Sequence, residues 1–152
     1  MAALPTAVTI VSAAGPAGPA GATANAVASL SLRPPLIVAC LDRGSRTLAA
    51  LRESGRFGVS VLAADKGDLA LGFATKAAHA QKWRDVAHTV PGGVAVLDGA
   101  VVWAACRLRS LYDGGDHEIA VGEVFELGGD GGEPLLFHRG RYRPLGPDPA
   151  GD

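Results

Sequence analysis

The sequence predicts an α+β domain, mainly β, built on an antiparallel barrel with two or three short helices. Three observations carry this expectation. About seven short runs rich in Val, Ile and Leu, bounded by Gly, Pro or Asp, read as strands. Two helical patterns fall in the middle of the chain, not in strict βαβ alternation, which argues against a doubly wound parallel sheet. After Pro91 only strands and turns follow, in the manner of an antiparallel meander.

Residues 4–12, LPTAVTIVS, have the β-branched character of a first strand, and GPAGPAG at 15–21 reads as a loop. Residues 22–32 alternate small and polar side chains up to Leu32. Pro34-Pro35 then blocks ladder pairing before the apolar run LIVACLD at 36–42, giving strand, turn, strand. Ser45 is placed to cap a helix through RTLAALRES, with Leu48, Leu51 and Arg52 at helical spacing and Gly55 just past its end. FGVSVLAA at 57–64 reads as a strand. Asp65 reads as the cap of a second helix carrying Leu69, Leu71 and Phe73. The segment AAHAQKWRDV fits a helix and a loop equally. Beyond Pro91-Gly92-Gly93 come VAVLDG, AVVWAACRLRSLYD, the turn DGGDH, EIAVGEVFELG, the turn GGDGG and PLLFHRGRY. One domain over 1–146 is expected, followed by a disordered tail at 147–152.

A chain of 152 residues can bury roughly two thirds of the surface its unfolded form exposes, enough for one core. Its 14 Lys and Arg balance 15 Asp and Glu with no block of like charge, so neither nucleic acid nor an anionic membrane is expected as a partner. No apolar run approaches the roughly 18–20 residues of a membrane span. The first 32 residues lack the basic start of a secretory signal, and Pro5 and the Gly-Pro pairs interrupt their apolar character, so a cytoplasmic protein is expected. Cys40 and Cys106 lie inside apolar runs and read as packed, reduced thiols.

The four histidines form no pair at metal-ligand spacing, and no metal site is expected. Neither a dinucleotide-binding glycine fingerprint nor a phosphate-binding P-loop is present, and the glycine clusters at 114–115 and 128–132 read as hairpin turns. Without a G-x-S-x-G elbow, no Ser/His/Asp triad is assigned. Three features invite chemistry. Ser45-Arg46-Thr47 puts two hydroxyls at a helix start, which suits a bound anion and equally an ordinary N-cap. His117 stands at a hairpin mouth, where it can donate to a ligand or sit in solvent. The stretch GATANAVASLSLRPP is almost free of large side chains, which suits either a flat ligand lying against backbone or a strand packed tightly under another element.

In order along the chain, VTIV, TANAVASLSLRPPL, CLDRGSRT, FGVSVL, LALGFA with a later KW, PGGVAVLDGA, GGDHEIAVGEV and PLLFHRGRY resemble the flavin reductase-like, FMN-binding split-barrel family. Its members include the small reductase components of two-component flavin-dependent monooxygenases. The resemblance implies a Greek-key split β-barrel, a homodimer with flavin near the interface, and an NAD(P)H:flavin oxidoreductase using FMN or FAD and NADH or NADPH. It further implies a flavin-dependent monooxygenase that receives the reduced flavin. By the same resemblance Thr23, Asn25, Ala26, Ser29, Leu30 and Ser31 look like the wall against the ring and ribityl chain. Asp42, Ser45 and Thr47 look like the ribityl and phosphate grip, and Phe73, Lys82 and Trp83 the segment closing over the flavin tail. His117 matches the family histidine near the nicotinamide, and Arg141 and Tyr142 the C-terminal segment beside that pocket. The alternative within the family is a member using the pocket as a non-reductase biosynthetic enzyme or as a small-molecule or flavin-binding protein.

Overall fold

The computed structural model describes residues 3–146. The first strand divides into β1 (Thr6–Ala7) and β2 (Thr9–Gly15). The break falls at Val8, whose N–H donates to Leu135 O while its carbonyl accepts from Leu62 N, handing the chain from one sheet to another. Pro16 and Ala17 turn the chain into β3 (Gly18–Ala24), so the second half of GPAGPAG is strand and not loop. Pro19 is tolerated because β3 is an edge strand, where a missing N–H breaks no ladder. Asn25 and Ala26 interrupt the next run. Then β4 (Val27–Leu32) and β5 (Pro35–Asp42) form the expected hairpin.

Helix α1 (Arg46–Ser54) begins and ends where its caps predict: Ser45 Oγ accepts the Thr47 N–H at 3.2 Å, and Gly55 takes φ 65° while its N–H donates to Leu51 O. β6 (Arg56–Val61) follows, then α2 (Gly67–Ala74). Here Lys66, not Asp65, holds the N-cap position, because the Asp65 carboxylate pairs with Lys66 Nζ at 3.3 Å instead of reaching a first-turn N–H. Ala70 and Phe73 form the buried face of α2 and leave Leu71 exposed. The ambiguous segment is a helix, α3 (His79–Trp83). The remaining strands are β7 (His88–Thr89), β8 (Val96–Leu97), β9 (Val102–Gly114), β10 (His117–Gly128), β11 (Leu135–His138) and β12 (Arg141–Pro144).

The result is mainly β with three α-helices among the described residues. Seven strands make one antiparallel sheet in the order β3-β2-β6-β9-β10-β5-β4, and β1-β11-β12 and β7-β8 make two smaller ones. The expected meander holds for the β9–β10 and β11–β12 hairpins. β7 and β8 also pair locally, whereas β10 on β5 and β11 on β1 are long-range pairings. The two edge strands of the large sheet, β3 and β4, are consecutive in the chain and linked only by Asn25 and Ala26, so the sheet curls until its edges meet there. The Cys40 N–H pins that link by donating to Ala26 O at 2.9 Å, although no ladder joins β3 to β4 among the described residues.

Apolar side chains fill two clusters. One, including Val11, Leu48, Leu51 and Phe57, lies between α1 and the sheet; the other, including Ile10, Leu62, Phe73 and Trp83, seats α2 and α3 on β2 and β3. Both cysteines are free thiols, Cys106 buried and Cys40 half-buried. Among the described residues no helix is long and apolar enough to cross a membrane. The tail at 147–152, expected to be disordered, lies outside the described residues.

Candidate functional site

Five elements converge on a cavity of about 600 Å³, within the usual range for a small-molecule site. Residues 21–23 of β3 form one wall, the β5–α1 junction from Asp42 to Thr47 the floor, and residues 73–76 with His79 and Lys82 the facing wall. A smaller lobe of about 150 Å³ shares Ala22, Thr23, Asp42 and Ser45 with it, and extends past Asn25, Ala26 and Cys40 to His117. The lobe exists because Asn25 and Ala26 cross between the sheet edges while His117 pairs in register with Asp42. Small side chains on β3 leave the backbone of this wall within a ligand's reach.

The facing wall is held by polar ties to β3. Thr23 Oγ1 donates to Ala70 O at 2.6 Å, and Lys82 Nζ reaches Gly21 O at 3.4 Å while also donating to Phe73 O at 2.9 Å at the C-terminal end of α2. The Gly21 N–H donates to His79 Nδ1 at 3.3 Å. That bond requires Nδ1 to be unprotonated, so the proton of His79 sits on Nε2. Gly21 must be glycine for this packing: a Cβ there would lie 2.7 Å from Phe73 Cε1 and 3.0 Å from Trp83 Cζ2. Arg46 reaches across the cavity mouth to Lys76 O and Ala77 O at 3.0 and 2.5 Å.

The electrostatics are cationic. Burial, then the Arg46 and Lys82 charges, hold the His79 imidazole below its ordinary range; burial, then Arg46, lowers Lys82. The hydroxyl of Thr47, a residue only 1% exposed, is buried at the start of α1 without a hydrogen-bond partner, and so is His79 Nε2. Two orphaned polar atoms on residues of one cavity, beside a helix start and the Arg46, Lys76 and Lys82 side chains, describe a place for an anion.

Of the residues singled out from the sequence, Thr23, Asp42, Ser45, Thr47, Phe73 and Lys82 line the main cavity, and Asn25, Ala26 and His117 the lobe. Trp83 lines neither. It is buried behind Phe73, edge-on at 5.0 Å, and supports the wall from the core side. Ser29, Leu30 and Ser31 lie farther along β4, away from both volumes, with Ser29 and Leu30 exposed at the sheet edge. Arg141 and Tyr142 belong to β12 in the small sheet. Tyr142 packs on Phe137 at 5.8 Å, and burial raises its phenol above the ordinary value. The residues that sequence reasoning missed are Gly21, Arg46 and His79. The three-residue spacing of His79 and Lys82 puts both on one helical face, a signal the ambiguous segment did carry. Among the described residues no group of three or more His, Cys, Asp or Glu is arranged to hold a metal ion.

Comparison with known proteins gives the geometry a family. The flavin reductase-like domain matches residues 1–146. An NADH-dependent flavin reductase of a Rhodococcus species is 38% identical over 125 residues, covering 82% of this chain and 69% of that one. The reductase component of a 4-nitrophenol 4-monooxygenase/4-nitrocatechol 2-monooxygenase of Rhodococcus opacus is 39% identical over 136 residues, covering 89% and 72%. Among solved structures, the NADH:FAD oxidoreductase of Streptomyces globisporus in complex with NAD and FAD fragments superposes with a TM-score of 0.90 at 34% identity, over 97% of this chain and 90% of that one. With the family match running through every element that builds the cavity, the chain belongs to the flavin reductase-like domain family.

Proposed function

We propose that the protein is an NADH-dependent flavin reductase that supplies reduced flavin to a partner monooxygenase. The observation that carries the reading is the buried, unpartnered Thr47 hydroxyl at the start of α1, flanked by Ser45, Arg46 and Lys82. A hydroxyl, free first-turn N–H groups and cations form a site for a phosphate monoester or diester, the group that FMN and FAD carry. The relatives named as NADH-dependent reductases and as a monooxygenase reductase component support the rest.

Hydride transfer from nicotinamide C4 to flavin N5 is chemistry that the two cofactors supply when bound. The chain's task is to hold and orient. Ser45, Thr47, Arg46 and Lys82 take the phosphate end, and the wall from Ala22 to Ala26 offers backbone groups to the polar edge of the ring. His117 donates its Nδ1–H to the Asp116 carboxylate at 2.7 Å and lines the lobe, where its ring would stand beside a bound nicotinamide. No side chain acts as a nucleophile. Under the same proposal the curled sheet is a Greek-key split barrel, and the protein works as a cytoplasmic homodimer with flavin near its interface. Ser29, Leu30, Ser31, Arg141 and Tyr142 then approach the flavin or nicotinamide from that side.

Anaerobic mixing of the purified protein, FMN or FAD, and NADH tests the proposal: loss of absorbance near the flavin maximum at a rate proportional to protein is expected. Parallel assays with NADPH and riboflavin define the donor and the worth of the phosphate. No protein-dependent bleaching with any flavin overturns it.

A further inference from the structure

We propose that Arg43 is a positioning residue for nicotinamide oxidation, acting through His117 by clamping the β9–β10 hairpin against the β5–α1 junction. The proposal rests on the flavin reductase reading for the role of His117, and on geometry for the clamp. Arg43 follows Asp42, which lines both parts of the site, and precedes Gly44 and Ser45 at the helix start. Its backbone N–H donates to Asp116 O at 3.1 Å and its Nε to Gly115 O at 2.6 Å. One terminal nitrogen of the guanidinium reaches Asp113 Oδ1 at 2.6 Å and the other Glu118 Oε1 at 3.0 Å. These four acceptors bracket His117 on both sides. Among the described residues, every side-chain hydrogen bond from outside the hairpin to residues 113–116 comes from Arg43.

The two carboxylate acceptors are themselves fixed. Asp113 Oδ1 also takes the Gly115 N–H at 2.9 Å, closing the turn. Glu118, buried in β10 next to His117, receives a second guanidinium from Arg52 on α1. Its carboxylate therefore joins the helix whose start forms the anion end of the site to the strand that carries His117. A planar guanidinium serves three side-chain and backbone acceptors at fixed angles, which the single ammonium of lysine does not reproduce. The exposed part of this network contributes little to global stability, since exposed ion pairs are worth at most about 1 kcal/mol. What it does determine is where a solvent-exposed hairpin tip stands.

The test compares Arg43→Ala and Arg43→Lys with the unaltered chain. Arg43→Ala is expected to raise the KM for NADH by about tenfold or more while the FMN dissociation constant stays within about twofold, and Arg43→Lys to restore only part of the loss. In the double variant Arg43→Ala/His117→Ala the loss should be no greater than in His117→Ala alone, because both act through one group. An assay-free arm records the His117 imidazole ¹⁵N signals and hydrogen exchange of the 113–117 amides without either cofactor. Altered ring signals and faster exchange are expected in Arg43→Ala. Unchanged ring signals, a loss shared equally between FMN and NADH, or additivity in the double variant would each overturn the proposal. Absence of flavin reduction by the unaltered chain would instead overturn the functional reading, and leaves the spectroscopic arm to decide the clamp.

Discussion

Gly21→Ala is the smallest change that tests how the cavity wall is built. A Cβ at this position would stand 2.7 Å from Phe73 Cε1, 3.0 Å from Phe73 Cδ1 and 3.0 Å from Trp83 Cζ2. Ordinary carbon contacts are about 3.5–4.0 Å, so the Phe73 ring must retreat by roughly 1 Å. Both rings are packed, Phe73 1% and Trp83 6% exposed and edge-on at 5.0 Å, so the shift is taken up by neighbouring side chains or by the cavity that Phe73 lines. Overpacking of this kind costs about 1–3 kcal/mol, which for a chain of this length lowers Tm by roughly 2–12 °C. The displaced rings carry α2 and α3, and with them Lys82 and His79, so FMN affinity should fall as well. Thermal denaturation and flavin titration of the variant measure both effects. Adding Phe73→Leu in the Gly21→Ala background should recover part of the lost stability. An unchanged Tm, or a double variant worse than the sum of the single ones, would show that β3 does not meet these rings as described.

Three other outcomes follow from particular side chains. Thr47→Val should weaken FMN but not riboflavin, while holding or raising the Tm of the ligand-free protein, since it deletes a buried hydroxyl whose lack of a partner costs about 1–3 kcal/mol; equal loss for both flavins refutes the phosphate role. Burial pushes the Cys106 thiol up to about 12 from 9.0, so Ellman's reagent at pH 8 should modify at most one thiol in the native protein and both in denaturant. By linkage, only the unfolded state releases that proton above pH 9, so Cys106 lowers stability as pH rises from there. For His79, whose folded pKa lies below the ordinary 6.5, the unfolded state binds the proton more readily, so stability falls as pH drops below 6.5 until the folded pKa is passed. In His79→Gln the dependence of Tm on pH over that window should flatten; an identical slope would place the titration elsewhere.

Much of the site was legible because its signals are local. Ser45 and Gly55 bracket α1 by capping chemistry alone, and the Gly-Asp turn before His117 announces its hairpin. Asp65 misled because a carboxylate one residue from a lysine has a competing partner, and no pattern of spacing weighs that competition. α3 has only five residues and no side-chain cap, so its helical character comes from Trp83 docking in the core and not from propensity. Arg43 could not be read as a clamp, since its acceptors lie at least 70 positions away. Trp83 was legible as important, but nothing in the segment distinguishes a ring that faces a ligand from one that props up the ring that does.

The two-residue link at Asn25 and Ala26 has a kinetic consequence. It joins the first and last strands of a seven-stranded sheet, so this lobe wall exists only once every intervening ladder is in place, including β10 on β5. Such non-local pairing places folding in the range of about milliseconds to seconds. A partly assembled chain has the α1 start but not the opposite wall, and cannot bind flavin in the native manner. A flavin that binds only the finished sheet stabilises it by mass action.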